Sequence, residues 1–365
     1  MQRTTRTLAL VAVAIVVVAG VGYAAYTSQL PSADPCAGVT TASVGTALST
    51  PGTRGVAPAP VLGPAHDAAP GTGVSPFSGH PLGRPSATGP IQVVAAENFW
   101  GSLVGQLGGN HTTVLSIVSD PNADPHEYEA NTSDAVAMSN AQFVIVNGVG
   151  YDDWALQLIA ADNSPGQIVL NVGALNGVAV GGGIVSGNPH LWYNPSYVNA
   201  TVAAMYSDLV NIAPGDTVDF QQHYAALNGS LAALYGEATS IRSHFAGAIV
   251  AATEDIFVYL ANFTGLNLIS PPDFMEAVAE GNDPPAQSVV TFQCQLETGN
   301  VRVLVYNEQT VTPITTNLRS IAAENNVTTI GVTETIQPPG VSFQVWMNAE
   351  YLQLYNALNA GRLGQ

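Results

Sequence analysis

The sequence of 365 residues contains no lysine, and its eight charged basic residues are all arginines, set against 26 aspartates and glutamates. The resulting net charge of −18 leaves no positive surface for the phosphates of nucleic acid, so this class of ligand is excluded. An acidic surface raises the local concentration of cations, but it also serves simply to keep a protein in solution. Charge alone therefore identifies no ligand.

Cysteine is scarce as well. Cys36 and Cys294 are the only two, and neither belongs to a CxxC pair, which excludes a zinc-thiolate cluster. The two are able to form one disulfide in an oxidising compartment. The catalytic motifs HExxH, GxSxG and the Walker loop are also absent, so the sequence gives no sign of an enzyme.

The N-terminal residues predict export. Arg3 and Arg6 precede an uncharged, largely apolar run from Thr7 to Ala25, which is typical of a signal peptide or a membrane anchor over residues 1–30. Residues 31–90 are rich in Pro, Gly, Ala and Ser without periodicity, which predicts a flexible tether. We therefore expect an extracytoplasmic protein that is either membrane-anchored or secreted.

Apolar runs and helical patterns alternate from Ile91 onward, which predicts parallel-sheet α/β structure. The alternation is interrupted after Pro214, where apolar residues keep helical spacing for about 26 residues, a length of roughly 39 Å. The simplest architecture is an N-terminal α/β lobe (residues 91–215), a linking helix (216–246) and a C-terminal α/β lobe (247–365).

Four metal-competent side chains follow predicted strands, where ligands bind in open parallel sheets. His126 and His190 each lie in a loop of the form Asp or Asn, Pro, His, any residue, aromatic. Proline restricts the backbone of such a loop, so the imidazole is aimed at little entropic cost. We expect Tyr128 and Trp192 to pack behind the two rings.

Carboxylates complete the predicted site. Glu254 and Glu334 follow two strands of the second lobe, although by position alone each is equally consistent with a surface acid. Two imidazoles and two carboxylates suit Zn²⁺, Mn²⁺ or Fe²⁺. Glu97 and Glu280 are weaker candidates, and the pair Asp152-Asp153 is expected to be the solvated start of a helix.

From Ile91 onward the chain resembles the metal-binding substrate-binding proteins of ABC importers, the cluster A-I group of zinc and manganese receptors. The resemblance is carried by five segments in the expected order: Asp124-Pro-His-Glu-Tyr-Glu129, Asn147-Gly-Val-Gly-Tyr151, Asn188-Pro-His-Leu-Trp192, Glu254-Asp-Ile-Phe-Val-Tyr-Leu260 and Thr333-Glu-Thr335.

The resemblance implies two α/β lobes, a rigid backbone helix and one metal ion bound in the cleft. His126 and His190 match the first two family ligands, and Glu254 matches the third. Glu334 stands where the family usually has an aspartate. The implied partner is the permease of an ABC importer, and the chain is expected to act as a monomer. A surface adhesin or scaffold with a structural metal is the alternative, and a metallohydrolase is a third hypothesis.

Overall fold

The computed structural model describes residues 36, 89–122, 124–162, 164–180, 187–298 and 300–360. The predicted export segment and almost all of the predicted tether lie outside these residues. The chain divides into two compact units, residues 1–40 and 41–365. Cys36 is the one residue of the first unit that the structure describes. Neither cysteine is a free thiol. No helix among the described residues is both long and apolar enough to cross a membrane.

Two four-stranded parallel sheets form the framework, as the alternating pattern predicts. The strands are β1 (Ile91–Glu97), β2 (Thr112–Val118), β3 (Phe143–Val146), β4 (Ile168–Asn171), β5 (Ile249–Ala252), β6 (Asn267–Leu268), β7 (Val303–Asn307) and β8 (Thr328–Val332). The sheet orders are β2-β1-β3-β4 and β6-β5-β7-β8, so the two lobes repeat one topology. Only the two-residue β6 was not predicted, because it is too short to show a pattern.

Helices surround both sheets. They are α1 (Asn98–Gly108), α2 (Thr132–Asn140), α3 (Asp153–Asp162), α4 (Val172–Leu175), α5 (Pro195–Ile212), α6 (Thr217–Phe245), α7 (Val258–Thr264), α8 (Pro272–Ala279), α9 (Ala286–Thr298), α10 (Pro313–Glu324) and α11 (Phe343–Ala360). The inner strands β1 and β3 are buried on both faces, as expected of a parallel sheet between helical layers. Local signals set several helix starts, among them the capping box of Asn131 and Asp134 at α2.

The long helix α6 joins the two lobes. It has 29 residues and is therefore about 44 Å long. Its buried residues, spaced three, four or seven apart, include Phe220, Leu227, Leu231, Leu234 and Ile241. This face contacts α1 and α5 of the first lobe and α7 and α11 of the second.

One hydrophobic core extends through both lobes. The same cluster of buried side chains contains Phe99 and Trp192 of the first lobe, Leu231 of α6, and Val303 and Trp346 of the second lobe. Two smaller clusters cover the outer faces of the sheets, one in each lobe. Because apolar burial continues across the lobe boundary, hydrophobic packing stabilises the arrangement of the lobes.

Both sheets direct the carboxyl ends of their strands toward the cleft. The strand order reverses between β1 and β3 in the first lobe and between β5 and β7 in the second. Such switch points create a crevice beyond the strand ends, and this is where α/β proteins bind ligands.

Candidate metal-binding site

The four predicted ligands lie just beyond the carboxyl ends of four strands. His126 follows β2 and His190 follows β4 in the first sheet, whereas Glu254 follows β5 and Glu334 follows β8 in the second. The structure brings His126, His190 and Glu334 together, since one ligand atom from each lies within 4.8 Å of the others. This group, here called the ligand cluster, joins two imidazoles of one lobe to a carboxylate of the other.

His126 is positioned by its own loop. Pro125–Glu127 forms a single 3-10 helical turn, and the side chain of Asp124 accepts a hydrogen bond from the backbone N–H of His126 at 2.9 Å. The ring of Tyr151 packs edge-on against the imidazole, with the ring centres 4.8 Å apart. His126 Nε2 lies 3.3 Å from Glu334 Oε2 and forms no hydrogen bond with any described residue.

His190 is completely buried. The side-chain oxygen of Asn188 accepts a hydrogen bond from the backbone N–H of His190 at 2.8 Å and lies 2.9 Å from Nδ1. Because an amide oxygen only accepts, Nδ1 carries a proton, and when the ring is neutral its lone pair is at Nε2. That Nε2 lies 3.7 Å from Glu334 Oε2 and is without a hydrogen-bond partner within the described part of the chain.

The second lobe also supports His190. Asp255 Oδ1 lies 3.1 Å from His190 Nδ1, and the backbone oxygen of Asp255 accepts a hydrogen bond from the Asn188 side chain at 2.7 Å. Partners of this kind at the non-ligating nitrogen fix the orientation of a metal-binding imidazole. Trp192 packs on the ring at 5.3 Å, as predicted.

Glu334 is buried and fully engaged. The hydroxyl of Tyr151 donates to Oε2 at 2.6 Å, and the side-chain amide of Asn307 donates to Oε1 at 2.6 Å. The backbone N–H of Glu334 donates to Gln309 Oε1 at 2.7 Å, which holds the loop that follows β8. The carboxylate therefore has a defined orientation, with Oε2 toward the two imidazoles.

Glu254 lies next to the ligand cluster but is not part of it. Its side chain is buried, and its Oε2 accepts a hydrogen bond from Asn307 at 3.0 Å. Its Oε1 is also buried and has no hydrogen-bond partner among residues that the structure describes. The role of Glu254 as a fourth ligand stays a prediction.

The buried charges shift one another's ionisation. Burial alone would raise the pKa of Glu334, but the imidazoles of His126 and His190 hold that pKa well below its usual range. Burial lowers the pKa of His190, yet Asp255 and then Glu334 raise it to about 10. Burial and the charge of Glu334 raise the pKa of Glu254 to about 8. At neutral pH the site therefore holds protons that a metal ion displaces.

Two predictions near the site were wrong. Tyr128 packs against Trp154 and donates its hydroxyl to Asp134, so it is not behind His126; Tyr151 occupies that place. Asp152 is buried rather than solvated, because its carboxylate accepts the backbone N–H groups of Asn147 and Gly148 at 2.6 and 2.7 Å. These two bonds fix the tight turn that carries Tyr151.

Glu97 and Glu280 lie outside the ligand cluster. Glu97 ends β1, is buried, and has neither oxygen hydrogen-bonded to a described residue. Burial and the nearby charge of Asp152 raise its pKa well above the usual value. Glu280 lines a cavity of about 390 Å³ that also reaches His126 and Asp255.

Three supporting residues were not predicted as part of the site: Tyr151, Asp255 and Asn307. Tyr151 and Asp255 each lie in a segment that carries the family resemblance, but no pattern in the sequence marked either side chain as part of the site. Asn307 offered the clearest signal, since it ends β7, an inner strand at the switch point of the second sheet.

Comparison with known proteins identifies the family to which the chain is similar. A profile of the ZnuA family, described as zinc-uptake complex component A, periplasmic, matches residues 93–357. The manganese-binding lipoprotein MntA of Halalkalibacterium halodurans is 28% identical over 126 residues, which are 34% of this chain and 40% of MntA. The chain spans 63%, 40% and 38% of the length of three curated relatives that it matches.

Solved structures share the fold. The periplasmic zinc-binding protein TroA of Treponema pallidum has a TM-score of 0.62 at 16% identity, covering 74% of this chain and 99% of TroA. The laminin-binding adhesin Lmb of Streptococcus agalactiae, in a mutant form, has a TM-score of 0.63 at 17% identity, covering 73% of this chain and 99% of Lmb.

The family match extends from the first strand almost to the end of the last helix and so includes both lobes and every residue of the ligand cluster. The family is described as a periplasmic component of an uptake complex, which confirms the predicted extracytoplasmic location and identifies a binding protein rather than an enzyme. With more than half of its length matched, the chain belongs to the ZnuA family of periplasmic zinc-uptake components.

Proposed function

We propose that this protein captures one divalent transition metal ion, zinc or manganese, and delivers it to the permease of an ABC importer. The observation that carries the proposal is the ligand cluster, in which two imidazole nitrogens and one carboxylate oxygen from opposite lobes converge in a buried cleft. Family membership and the metal-binding names of the relatives support the same function.

The donor atoms favour a metal ion over other ligands. His126 Nε2 and His190 Nε2 are both buried without a hydrogen bond to a described residue, and such atoms cost about 1–3 kcal/mol each when nothing binds them. A metal ion would satisfy both at once. Imidazole nitrogen with carboxylate oxygen suits zinc and manganese, and ferrous iron is compatible with the same set. We propose Glu254 as the fourth ligand, through its unpartnered Oε1.

A transported ion, rather than a structural one, agrees with the packing. The hydrophobic core extends across both lobes and supplies apolar packing that involves no metal. We expect the protein to keep a cooperative thermal transition in excess chelator. Loss of that transition on chelation would instead favour the alternative of an adhesin or scaffold in which the metal is structural.

The N-terminal residues complete the proposal. We infer that residues 1–30 hold the protein at the membrane or export it, that residues 31–90 act as a tether, and that lobes 91–215 and 247–365 act as a monomer around the linking helix 216–246. The composition of these segments supports the assignment.

The decisive variant is His126→Ala with His190→Ala. We expect the parent to bind one equivalent of Zn²⁺ or Mn²⁺, and the double variant to lose at least about 100-fold in affinity, because two of the ligands are gone. His244→Ala is the matched control, since His244 is an exposed histidine of α6. Titration against a competing chelator measures the metal affinity of the parent, the double variant and the control. Equal affinity of the parent and the double variant would refute the proposal.

A further inference from the structure

Asn307 stands between the two buried carboxylates of the cleft. Its side chain is 1% exposed, and its Nδ2 donates to Glu254 Oε2 at 3.0 Å and to Glu334 Oε1 at 2.6 Å. The same group lies 3.1 Å from Thr310 Oγ1. One amide therefore contacts both acidic side chains of the second lobe.

The orientation of this amide is fixed chemically. Asn307 Oδ1 accepts a hydrogen bond from the backbone N–H of Gln309 at 2.9 Å. A flipped amide would direct its oxygen at two carboxylates and its NH₂ group at a backbone donor, which would lose every one of these bonds. Nδ2 therefore faces the carboxylates in the only orientation that satisfies its partners.

The consequence is that Asn307 donates to one oxygen of each carboxylate and leaves the other oxygen of each without a bond to it. Glu254 keeps Oε1, which is buried and forms no hydrogen bond to the described residues. Glu334 keeps Oε2, which accepts only the Tyr151 hydroxyl and so retains a lone pair toward the imidazoles. A hydrogen bond from Asn307 to one oxygen draws electron density from that oxygen and favours metal binding through the other oxygen of each carboxylate.

The spacing of the ligand cluster fits a small, four-coordinate ion. Glu334 Oε2 lies 3.3 Å from His126 Nε2 and 3.7 Å from His190 Nε2. In a tetrahedral zinc site with bonds of roughly 2.0–2.2 Å, neighbouring donor atoms are about 3.4 Å apart. The distances between these atoms are therefore close to those of a tetrahedron.

We infer that Asn307 is a specificity-determining residue that limits Glu254 and Glu334 to one oxygen each and thereby selects zinc over manganese. The inference rests on the proposed function and on the role of Glu254 in it. Two nitrogens and two single oxygens complete a tetrahedron, which zinc prefers, whereas manganese prefers six ligands rich in oxygen. Zinc binds more tightly than manganese at most sites of this kind, and Asn307 widens that difference by withholding further oxygens.

The variant Asn307→Ala tests this directly. It frees both carboxylates to bind through two oxygens, so the ratio of Zn²⁺ to Mn²⁺ affinity falls by about tenfold or more, the usual scale for a residue that contacts the ligands. Asn325→Ala, at an exposed asparagine after α10 of the same lobe, is the matched control. Competition between the two metals gives the ratio independently of any transport assay.

Cobalt provides a second measurement that needs no variant. Co²⁺ in the parent should give the intense visible absorption of a tetrahedral site, and Asn307→Ala should give the weak absorption of a site with more ligands. A six-coordinate spectrum in the parent, or an unchanged metal ratio in a folded Asn307→Ala, overturns the inference. If that variant does not fold, the parent spectrum decides. Tight metal binding with either result leaves the proposed function intact, whereas a parent that binds no metal defeats the function itself.

Discussion

Replacement of Glu334 by glutamine separates metal binding from folding. The carboxylate is fully buried, contributes Oε2 to the ligand cluster, and carries a charge between two imidazoles. Glu334→Gln keeps the shape of the side chain and removes the charge. A four-ligand zinc site releases about 10–16 kcal/mol, or roughly 3 kcal/mol for each ligand. At 1.4 kcal/mol for each tenfold change, the loss of one ligand lowers Zn²⁺ affinity about 100-fold.

The thermal stability of the metal-free protein should respond differently from the metal affinity. Loss of the charge breaks the buried ion pairs with His126 and His190, so the chelator-treated variant should lose about 3–5 kcal/mol of stability but keep a cooperative unfolding transition. Affinity comes from competition with a chromogenic chelator, and stability comes from thermal denaturation of the same samples. An affinity within threefold of the parent would show that Glu334 is not a ligand. Loss of the cooperative unfolding transition would mean that the variant reports on folding rather than on the site.

Two further predictions follow from ionisation. Metal uptake at pH 7 should release protons from His190 and Glu254, whose pKa values are raised to about 10 and about 8, and in part from His126, whose pKa the charge of Glu334 raises against the effect of burial. Fewer protons should be released at pH 9, where Glu254 is largely ionised. Calorimetry in buffers of different ionisation enthalpy counts them, and an equal release at both pH values would contradict the assignment. Burial and the charge of Asp152 raise the pKa of Glu97, so the folded protein favours the protonated carboxyl. The stability that this protonation contributes is fully present below the unfolded pKa near 4.5 and is lost as pH rises. Glu97→Gln should therefore gain in melting temperature relative to the parent as the pH rises above about 4.5, and a constant difference would refute this.

The fold was largely predictable from local patterns. Short apolar runs alternating with amphipathic segments predicted two parallel sheets, and sustained helical spacing predicted α6, since both depend only on neighbours in the sequence. The histidines were predictable because proline-containing loops at strand ends restrict the backbone around them. His126 and His190 consequently lie in the cluster where the pattern placed them.

The supporting residues were not predictable because they depend on contacts distant in sequence. Tyr151 meets Glu334 across 183 positions, and Asn307 meets Glu254 across 53. Asp152 shows the same difficulty over a short range: an acidic pair before a helix resembles a solvated N-terminus, yet its carboxylate is turned inward by two backbone N–H groups. Burial of a charged side chain is a property of the tertiary fold, and no local pattern carries it.

The most direct test of the central claim is anomalous diffraction at the zinc absorption edge from crystals of the zinc-loaded protein. The account predicts one strong peak in the cleft, bonded to His126 Nε2 and His190 Nε2 of the first lobe and to Glu334 Oε2 of the second. A principal peak outside the cleft, or one bonded to residues of a single lobe, would contradict the claim that the metal is held between the lobes.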